Sequence, residues 1–294
     1  MEDAGDAPEF LAIGHATRDL LPDGSWRLGG TVTFAALTAQ RLGLRAAIVT
    51  SGPPEITAAL RAALPDVALA IVPSPSATTY ENIYQDGARR QYLRDRAAPL
   101  RPADIPAAWR AAPVVLLAPL AGEVAPELAA AFPSALVAAT PQGWLRRWDA
   151  AGYITPGPLE DAHTLLPALR ALILSRDDLA PPSSSAAALT AATDQIAAWA
   201  SAVPLVVVTR GPAGALLHSA TAIPEAFAGY PAREVDPTGA GDVFAAAFLC
   251  ELHATGDARA AVDFANRVAA LSVEHPGASG IPTRADVATR FPAP

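Results

Sequence analysis

Short apolar runs alternate with segments of helical periodicity along most of this chain. Apolar runs of about four to eight residues that end at glycine, proline or polar positions are typical of buried strands. They predict strands at residues 10–14, 46–50, 67–72, 113–119, 135–140, 171–174 and 205–209. Helices are predicted at residues 123–131, 186–202 and 259–273, before Gly43 and after Gly241. The alternation predicts an α/β fold, with a largely parallel central sheet and helices on both of its faces.

Residues 74–93 differ from this pattern because polar and aromatic side chains alternate there. Asp86-Gly87 is a strong signal for a two-residue hairpin turn, and aliphatic and aromatic residues lie on both sides of it. Since side chains alternate between the two faces of a strand, one face of such a hairpin can cover a pocket while the other meets solvent. We therefore expect a small hairpin beside the main sheet.

A turn of small residues, Thr238 to Gly241, leads directly into an apolar run late in the chain. A helix that begins after such a turn directs free N–H groups and its positive dipole end outward, which predicts an anion site. Asp242 lies in the first helical turn, where its carboxylate can accept a proton from an attacking hydroxyl. Alternatively, Asp242 is an ordinary N-terminal helix residue favoured by the dipole. The segment lacks the Lys-Ser/Thr pair of a Walker A loop and the glycine spacing of a dinucleotide-binding turn.

The composition restricts the class of protein. Of the 294 residues, 51% are hydrophobic and 17% are charged, which suits one large α/β domain and argues against disorder. The net charge of −8 argues against nucleic acid as a main partner. Cys250 is the only cysteine and falls within an apolar helix, so we expect a buried, inert thiol in a cytoplasmic protein. The acidic N-terminus and the short apolar runs predict no signal peptide and no membrane span.

The string Asp236-Pro-Thr-Gly-Ala-Gly-Asp242, followed by an apolar helix, resembles the C-terminal signature of the ribokinase-like (PfkB-type) carbohydrate kinases. A Gly-Gly helix start, a lid hairpin, an acidic strand end and a Thr-x-Gly-x-x-Gly loop precede it in the family's order. The resemblance implies a divergent member with one kinase domain over residues 1–294, a three-layer α/β/α fold and a small β lid at about residues 15–28 and 76–95. It also implies ATP γ-phosphoryl transfer to a hydroxyl, with Asp242 as the base. The N–H groups of Gly239, Ala240 and Gly241 would stabilise the phosphoryl charge.

On the acceptor side, the resemblance implies that Asp19 and the Gly29–Gly30 backbone bind substrate hydroxyls beneath a lid that excludes water. The lid side chains implied to reach substrate are Thr79, Glu81 and Asn82. Many relatives have a substrate-binding asparagine where this chain has Phe34, and a ring cannot replace the hydrogen bonds of an amide. Phe34 is therefore either part of a less polar substrate site or a core residue at the helix start. Residues 140–146 follow a strand end, where open α/β sheets bind ligands, so this loop is also expected to touch substrate.

On the donor side, the resemblance implies ATP as the cofactor. Thr209, Gly211 and Gly214 match the loop that relatives place against the nucleotide phosphates and ribose. Ser175 lies at the end of the preceding strand and is grouped with these cofactor-binding residues. Asn266 and the loop at Gly277 are implied to flank the adenine.

Two acidic residues are implied to hold cations. Ser175-x-x-Asp178 stands where relatives have Asn-x-x-Glu, and the Asp178 carboxylate suits Mg²⁺. Alternatively, Asp177 and Asp178 simply place negative charge at a helix N-terminus. As in some relatives, Asp236 and Thr238 with carbonyls of the Gly277 loop would form a site for a monovalent cation such as K⁺.

The resemblance thus implies an ATP-dependent kinase of a small sugar or polyol, with a cyclitol of the inositol type favoured over a common hexose or ribose. The Gly-Gly helix start ending at Phe34 and the Ser175-x-x-Asp178 pair resemble the branch that includes inositol kinases. The alternatives are a nucleoside kinase and a non-catalytic relative that binds sugar or nucleotide without turnover. A homodimer through the lid is a further expectation, because relatives often pair there.

Overall fold

The computed structural model describes residues 6–85, 88–180, 184–219 and 222–292. The strands of this part of the chain are β1 (Phe10–Ile13), β2 (Thr17–Leu20), β3 (Trp26–Gly29), β4 (Ala46–Gly52), β5 (Ala68–Pro73), β6 (Thr78–Gln85), β7 (Ala88–Asp95), β8 (Val114–Leu117), β9 (Leu136–Ala139), β10 (Arg146–Trp148), β11 (Ile154–Pro156), β12 (Ala171–Ser175), β13 (Leu205–Thr209), β14 (Ala215–Ser219) and β15 (Ala222–Phe227). The helices are α1 (Thr31–Arg41), α2 (Pro54–Ala63), α3 (Ala162–Leu165), α4 (Ala186–Ala200), α5 (Ala240–Thr255), α6 (Ala258–Ser272) and α7 (Arg284–Arg290). The predicted Asp86-Gly87 turn lies outside the described residues.

The central sheet has nine strands in the order β15-β14-β13-β12-β9-β8-β1-β4-β5. Neighbouring strands from β13 to β5 are parallel, and only β14 and β15 are added antiparallel. Parallel strands are covered on both faces, which explains why the predicted strand segments are almost purely apolar. The α/β fold with a mostly parallel sheet is therefore confirmed.

Two hydrophobic clusters enclose this sheet. Phe10, Ile48 and Leu116 face the cluster that contains the buried sides of α1, α5 and α6. Ile13 and Val49 face the opposite cluster, which includes side chains from α3, α4 and the connection after β7. Because α5 is buried along residues 243–250, its N-terminus is held rigidly against the strand ends. No helix in the described ranges combines the length and the apolarity that crossing a bilayer requires.

A separate four-stranded sheet has the order β3-β2-β6-β7. It contains the antiparallel pairs β2–β3 and β6–β7, joined by a parallel contact between β2 and β6. Its strands fall at the two segments predicted for the lid, and they leave the central sheet directly after β1 and β5. A short hairpin of β10 and β11 lies beside it, through a bridge between Tyr92 and Tyr153.

The helix predicted at residues 123–131 is wrong in length and type. Only Pro126–Ala131 is helical, and it forms a 3₁₀ segment. Glu123 is instead a buried hydrogen-bond acceptor whose carboxylate receives the N–H groups of Leu120 and Ala121. Helix α2 has no counterpart among the predicted helices, although a proline at its first position and Glu55 in its first turn are helix-start signals.

Candidate active site

The predicted anion turn lies at the start of α5. Gly239 precedes the helix with φ +78°, a left-handed conformation that favours glycine. The Ala240 N–H donates to Pro237 O at 3.2 Å, and the Thr238 N–H donates to the Asp236 carboxylate at 3.0 Å. The helix therefore begins where the sequence predicts. One of the three predicted phosphate-binding N–H groups, that of Ala240, already has a partner within the turn.

Asp242 is half-buried in the first turn of α5. Burial raises the pKa of its carboxyl group to about 6, although a hydrogen bond from Thr31 and the positive charge of Arg146 act in the opposite direction. The negative charges of Asp178 and Asp19 contribute to the increase. A carboxylate with this pKa is ionised at neutral pH and is basic enough to accept a proton from a hydroxyl.

The Gly29–Gly30 turn brings the acceptor-side residues to Asp242. Gly30 has φ +96°, and a Cβ there would collide with the backbone of His15 and come within 3.1 Å of Ala16 Cα. Gly29 lies directly against the Asp19 carboxylate. Helix α1 then begins at Thr31, the residue that hydrogen-bonds Asp242. Sequence reasoning missed Thr31, although its position immediately after two glycines at a helix start was available as a signal.

The inner face of the lid carries Asp19 and Tyr80, which are paired across β2 and β6. The Thr17 hydroxyl donates to Asp19 at 3.1 Å, and the Tyr80 hydroxyl donates to Leu120 O at 2.6 Å. Strand alternation places Asn82 on the same face as Tyr80. Its side chain accepts a hydrogen bond from Gln91 at 3.1 Å.

The prediction that Thr79, Glu81 and Asn82 all reach substrate is corrected by this alternation. Glu81 lies on the outer face of the lid and forms an ion pair with Arg94 at 2.6 Å. Thr79 is buried, and its hydroxyl donates to Ala77 O at 2.9 Å. Of the three residues, Asn82 alone shares the face of Asp19.

Phe34 is a core residue, so its placement among the substrate-binding residues is also corrected. Its side chain is only 6% exposed and belongs to the cluster around α1 and α5. The ring lies directly beneath Gly239. The core alternative is thus the one that the structure supports.

Asp178 lies at the carboxyl end of β12, with both carboxylate oxygens hydrogen-bonded. One accepts the Ser175 N–H at 2.9 Å and the other accepts the Gln142 amide at 3.0 Å. Burial raises the pKa of Asp178 in spite of these bonds. Asp178 and Ser175 form a capping box at the start of a 3₁₀ turn, which is compatible with either interpretation of Asp178. No group of three or more His, Cys, Asp or Glu side chains with metal-binding geometry occurs in the described part of the chain, and the Mg²⁺ role stays a prediction.

A cavity of about 240 Å³ opens on the other side of the anion turn. It is lined by residues predicted for the nucleotide, Thr209, Gly211, Gly214 and Asn266, and by Ala240 and Gly241 of the turn. The sequence did not single out four further lining residues, Tyr230, Glu234, Phe244 and Val273. Asn266 is buried and donates to Ala228 O at 3.3 Å, so it fixes the chain segment after β15.

Gly277 is not part of the lining of this cavity. Its N–H donates to Asp236 at 3.0 Å, and the Arg27 guanidinium approaches the same carboxylate at 3.9 Å. Burial raises the pKa of Asp236, but hydrogen bonds from Thr238 and Gly277 and the charge of Arg27 outweigh it and hold the pKa below its usual value. Asp236 therefore joins the anion turn to the Gly277 loop, and the monovalent cation site stays a prediction.

Comparisons with known proteins agree with this arrangement. Residues 146–284 match the model of the pfkB family carbohydrate kinases. Ribokinase from Bacillus subtilis is 52% identical over 59 residues, which cover 20% of each chain. The ATP-dependent ribose-1-phosphate kinase from Halopiger xanaduensis is 37% identical over 87 residues, which cover 30% of this chain and 29% of that one. The chain thus spans less than a third of the length of these curated relatives.

Solved structures share the fold over nearly the whole chain. A pyrophosphate-dependent kinase in the ribokinase family, complexed with a pyrophosphate analog and myo-inositol, superposes with a TM-score of 0.79 at 21% identity, covering 96% of this chain and 100% of that one. Ribokinase from Arabidopsis thaliana, complexed with ribose and ATP, gives a TM-score of 0.72 at 19% identity over 98% and 100% of the two chains. Residues 146–284 are thus similar to the pfkB family carbohydrate kinases, and nearly the whole chain shares the fold of these two solved structures.

Proposed function

We propose that this protein transfers the γ-phosphoryl group of ATP to a hydroxyl of a small, neutral sugar or polyol, with a cyclitol favoured. The observation that carries the proposal is the position of Asp242. Asp242 directly follows Gly241, which lines the cavity, and its carboxylate is close enough to Asp19 of the lid for the two charges to interact. A base, a phosphate cradle and two ligand regions are the parts that a phosphotransferase needs.

The cavity supports ATP over pyrophosphate as the donor. One of the similar solved structures is a pyrophosphate-dependent kinase, so both donors are to be weighed. Pyrophosphate needs only anion-binding groups, whereas a nucleotide also needs apolar surface for its base and ribose. Tyr230, Phe244 and Val273 supply such surface beside the turn.

The charges around Asp242 support a neutral acceptor. Asp19 and Asp178 both act on Asp242 as like charges. A phosphorylated or carboxylated acceptor would meet this field at close range, while hydroxyl groups can donate hydrogen bonds to it. The myo-inositol and ribose bound in the similar structures are both neutral polyhydroxy compounds.

In the proposed reaction, the Asp242 carboxylate accepts the proton of the acceptor hydroxyl. The hydroxyl oxygen forms a bond to the γ-phosphorus, the bond from that phosphorus to the bridging oxygen breaks, and ADP leaves with the electron pair. The N–H groups of Gly239 and Gly241 would donate to the phosphoryl oxygens, and donors of this kind are typically worth about 3–4 kcal/mol each. The hydrogen bond from Thr31 holds Asp242 in place for this step.

The residues present fit Mg²⁺ bound mainly through the donor phosphates. Mg²⁺ keeps most of its waters and uses one or two carboxylates together with substrate oxygens, so it does not require a cluster of three side chains. Each oxygen of Asp178 accepts one protein hydrogen bond and keeps a second lone pair for a water ligand. When bound, the ion supplies positive charge that offsets the charge of the phosphates.

The test is ADP release from Mg-ATP with a panel of cyclitols, pentoses, hexoses, nucleosides and sugar phosphates. We expect a neutral polyol or sugar to stimulate release above the rate with water. The variant Asp242→Asn should reduce that rate by about 10²- to 10⁴-fold while the protein still binds ATP. If no acceptor stimulates release from ATP or pyrophosphate although ATP binds, the protein is a binder without turnover and the proposal fails.

A further inference from the structure

Arg146 is a half-buried cation at the active-site cleft that the sequence did not identify as an individual site residue. Within the described residues, no carboxylate lies at ion-pair distance from its guanidinium, and its hydrogen bond is to Leu120 O at 3.4 Å. The guanidinium of its neighbour Arg147, in contrast, forms an ion pair with Glu160 at 2.7 Å and donates hydrogen bonds to the carbonyl oxygens of Trp144 and Pro158. A cation without an acidic partner next to a cleft is available to an anionic ligand.

The Arg146 guanidinium is held in one orientation by the lid and the sheet. Its central carbon lies 5.5 Å from the centre of the Tyr80 ring, and the Tyr80 hydroxyl donates to Leu120 O, the same acceptor that Arg146 uses. The loop before Arg146 is equally fixed. The Gly143 N–H donates to Pro119 O at 2.8 Å, and the Trp144 indole N–H donates to Val124 O at 2.8 Å. An arginine held this firmly loses little freedom when it binds a ligand.

The charge of Arg146 acts at the centre of the cleft. It lowers the pKa of both Asp242 and Asp178, so the guanidinium lies near both carboxylates. Asp19 adds a third carboxylate to this region. A phosphoryl group passing among three carboxylates needs a compensating positive charge, and Arg146 is placed to provide it.

We propose that Arg146 is a catalytic residue that binds the transferred phosphoryl group, donating N–H groups to its oxygens as it passes from ADP to the acceptor. This inference rests on the proposed function and extends it. The planar fork of donors fits two phosphoryl oxygens at once, and a lysine would provide charge without this geometry.

The experiment compares Arg146→Gln, Arg146→Lys and the matched control Arg147→Gln in the full chain. With the best neutral acceptor, kcat for ADP release is expected to fall by about 10³- to 10⁵-fold in Arg146→Gln, in the range of other arginines that contact a transferred phosphoryl group. Arg146→Lys should recover part of the loss, and added guanidinium ion should partly rescue Arg146→Gln. KM for ATP and for the acceptor should change by less than about fivefold, because the contact is strongest in the transition state.

Arg147→Gln removes more hydrogen bonds from the neighbouring residue than Arg146→Gln does, so it reports on the structural role of this loop. We expect it to lower the melting temperature while kcat stays within about threefold of the wild type. If Arg146→Gln folds and its kcat stays within about threefold of the wild-type value, Arg146 only supports Tyr80 structurally. That result overturns the inference. Should Arg146→Gln fail to fold, Arg146→Lys decides, since wild-type kcat in that variant also overturns the forked contact. A wild-type protein without acceptor-dependent turnover would instead refute the proposed function itself.

Discussion

The ring of Phe34 in α1 packs directly against Gly239 in the anion turn. A Cβ at residue 239 would lie 2.6 Å from Phe34 Cε1, and the φ of +78° at Gly239 also disfavours any side chain. This contact joins the helix that begins at Thr31 to the helix that carries Asp242. Phe34 therefore packs beneath the turn of small residues that precedes Asp242.

From this contact we predict that Gly239→Ala lowers the free energy of unfolding by about 2–5 kcal/mol. The left-handed backbone accounts for about 1–2 kcal/mol of this and the collision with Phe34 for the remainder. Urea unfolding of both single variants and of the double variant Gly239→Ala/Phe34→Leu measures the two parts. A coupling of about 1–2 kcal/mol is expected, because the smaller side chain relieves only the collision. Additive losses would show that the two residues do not press on each other.

The activity should depend on pH through Asp242. With its pKa at about 6, the carboxyl group is protonated at lower pH and cannot accept the hydroxyl proton. We expect kcat/KM to be level above pH 7 and to fall about tenfold per pH unit below pH 6. Titration of ATP itself is controlled by measuring Mg-ATP binding over the same range. A profile that stays level down to pH 5 would exclude Asp242 as the base.

The same ionisation should make the active site a source of instability. Burial raises the pKa of Asp242 from 3.8 to about 6, so the folded state disfavours the charged carboxylate that the unfolded state accepts. Asp242→Asn should therefore be more stable than the wild type by about 1–3 kcal/mol at pH 8. The gain should shrink as the pH falls below 6 and vanish only below about pH 3, where the wild-type carboxyl group is protonated in the unfolded state as well as in the folded state. Thermal unfolding of the two proteins at pH 4.5, 6 and 8 tests the sign, and an equal gain at every pH would contradict it.

The proposed nucleotide site can be tested by filling the cavity beside the anion turn. Ala270 on α6 lines this cavity, and a tryptophan there would occupy the space expected for the base and ribose. We predict that Ala270→Trp raises KM for ATP by about tenfold or more, while KM for the acceptor is unchanged. Ala260→Trp, an exposed position on the same helix, is the control. An unchanged KM for ATP in Ala270→Trp would place the nucleotide elsewhere.

The strands, the main helices and the anion turn could be predicted because each depends on residues close together in the chain. Apolar runs bounded by glycine or proline indicate buried strands, and a small-residue turn before an apolar run indicates a helix N-terminus. Predictions that depend on contacts between distant segments were wrong or were missed. Thr79, Glu81 and Asn82 lie within four residues of sequence, but strand alternation divides them between two faces, and the choice of face depends on the pairing of β2 with β6. The contact of Thr31 with Asp242 likewise depends on how α1 packs against α5.

Buried polar contacts were the hardest features to predict. Glu123 lies in a segment that has the composition of a helix, yet the structure uses it to hold the loop after β8 against the end of β1. Hydrophobic periodicity does not indicate such a role, because the partners are backbone N–H groups and one of them, that of His15, is far away in sequence. Arg146 was missed for a related reason, because its proposed role depends on where Tyr80, Asp178 and Asp242 lie in the folded structure.

Glu123 leads to a last prediction, about stability. Its side chain is 1% exposed, and its two oxygens accept the N–H groups of His15 at 2.9 Å, of Leu120 at 2.9 and 3.0 Å, and of Ala121 at 2.7 Å. Glu123→Gln keeps the size but turns one acceptor into a donor that faces an N–H group, so we expect a loss of about 2–4 kcal/mol in the free energy of unfolding. Glu127→Gln, at an exposed position of the same loop region, should change it by less than about 0.5 kcal/mol. Urea unfolding at pH 7 compares the two. Equal, small losses would mean that solvent, and not these backbone N–H groups, satisfies the Glu123 carboxylate.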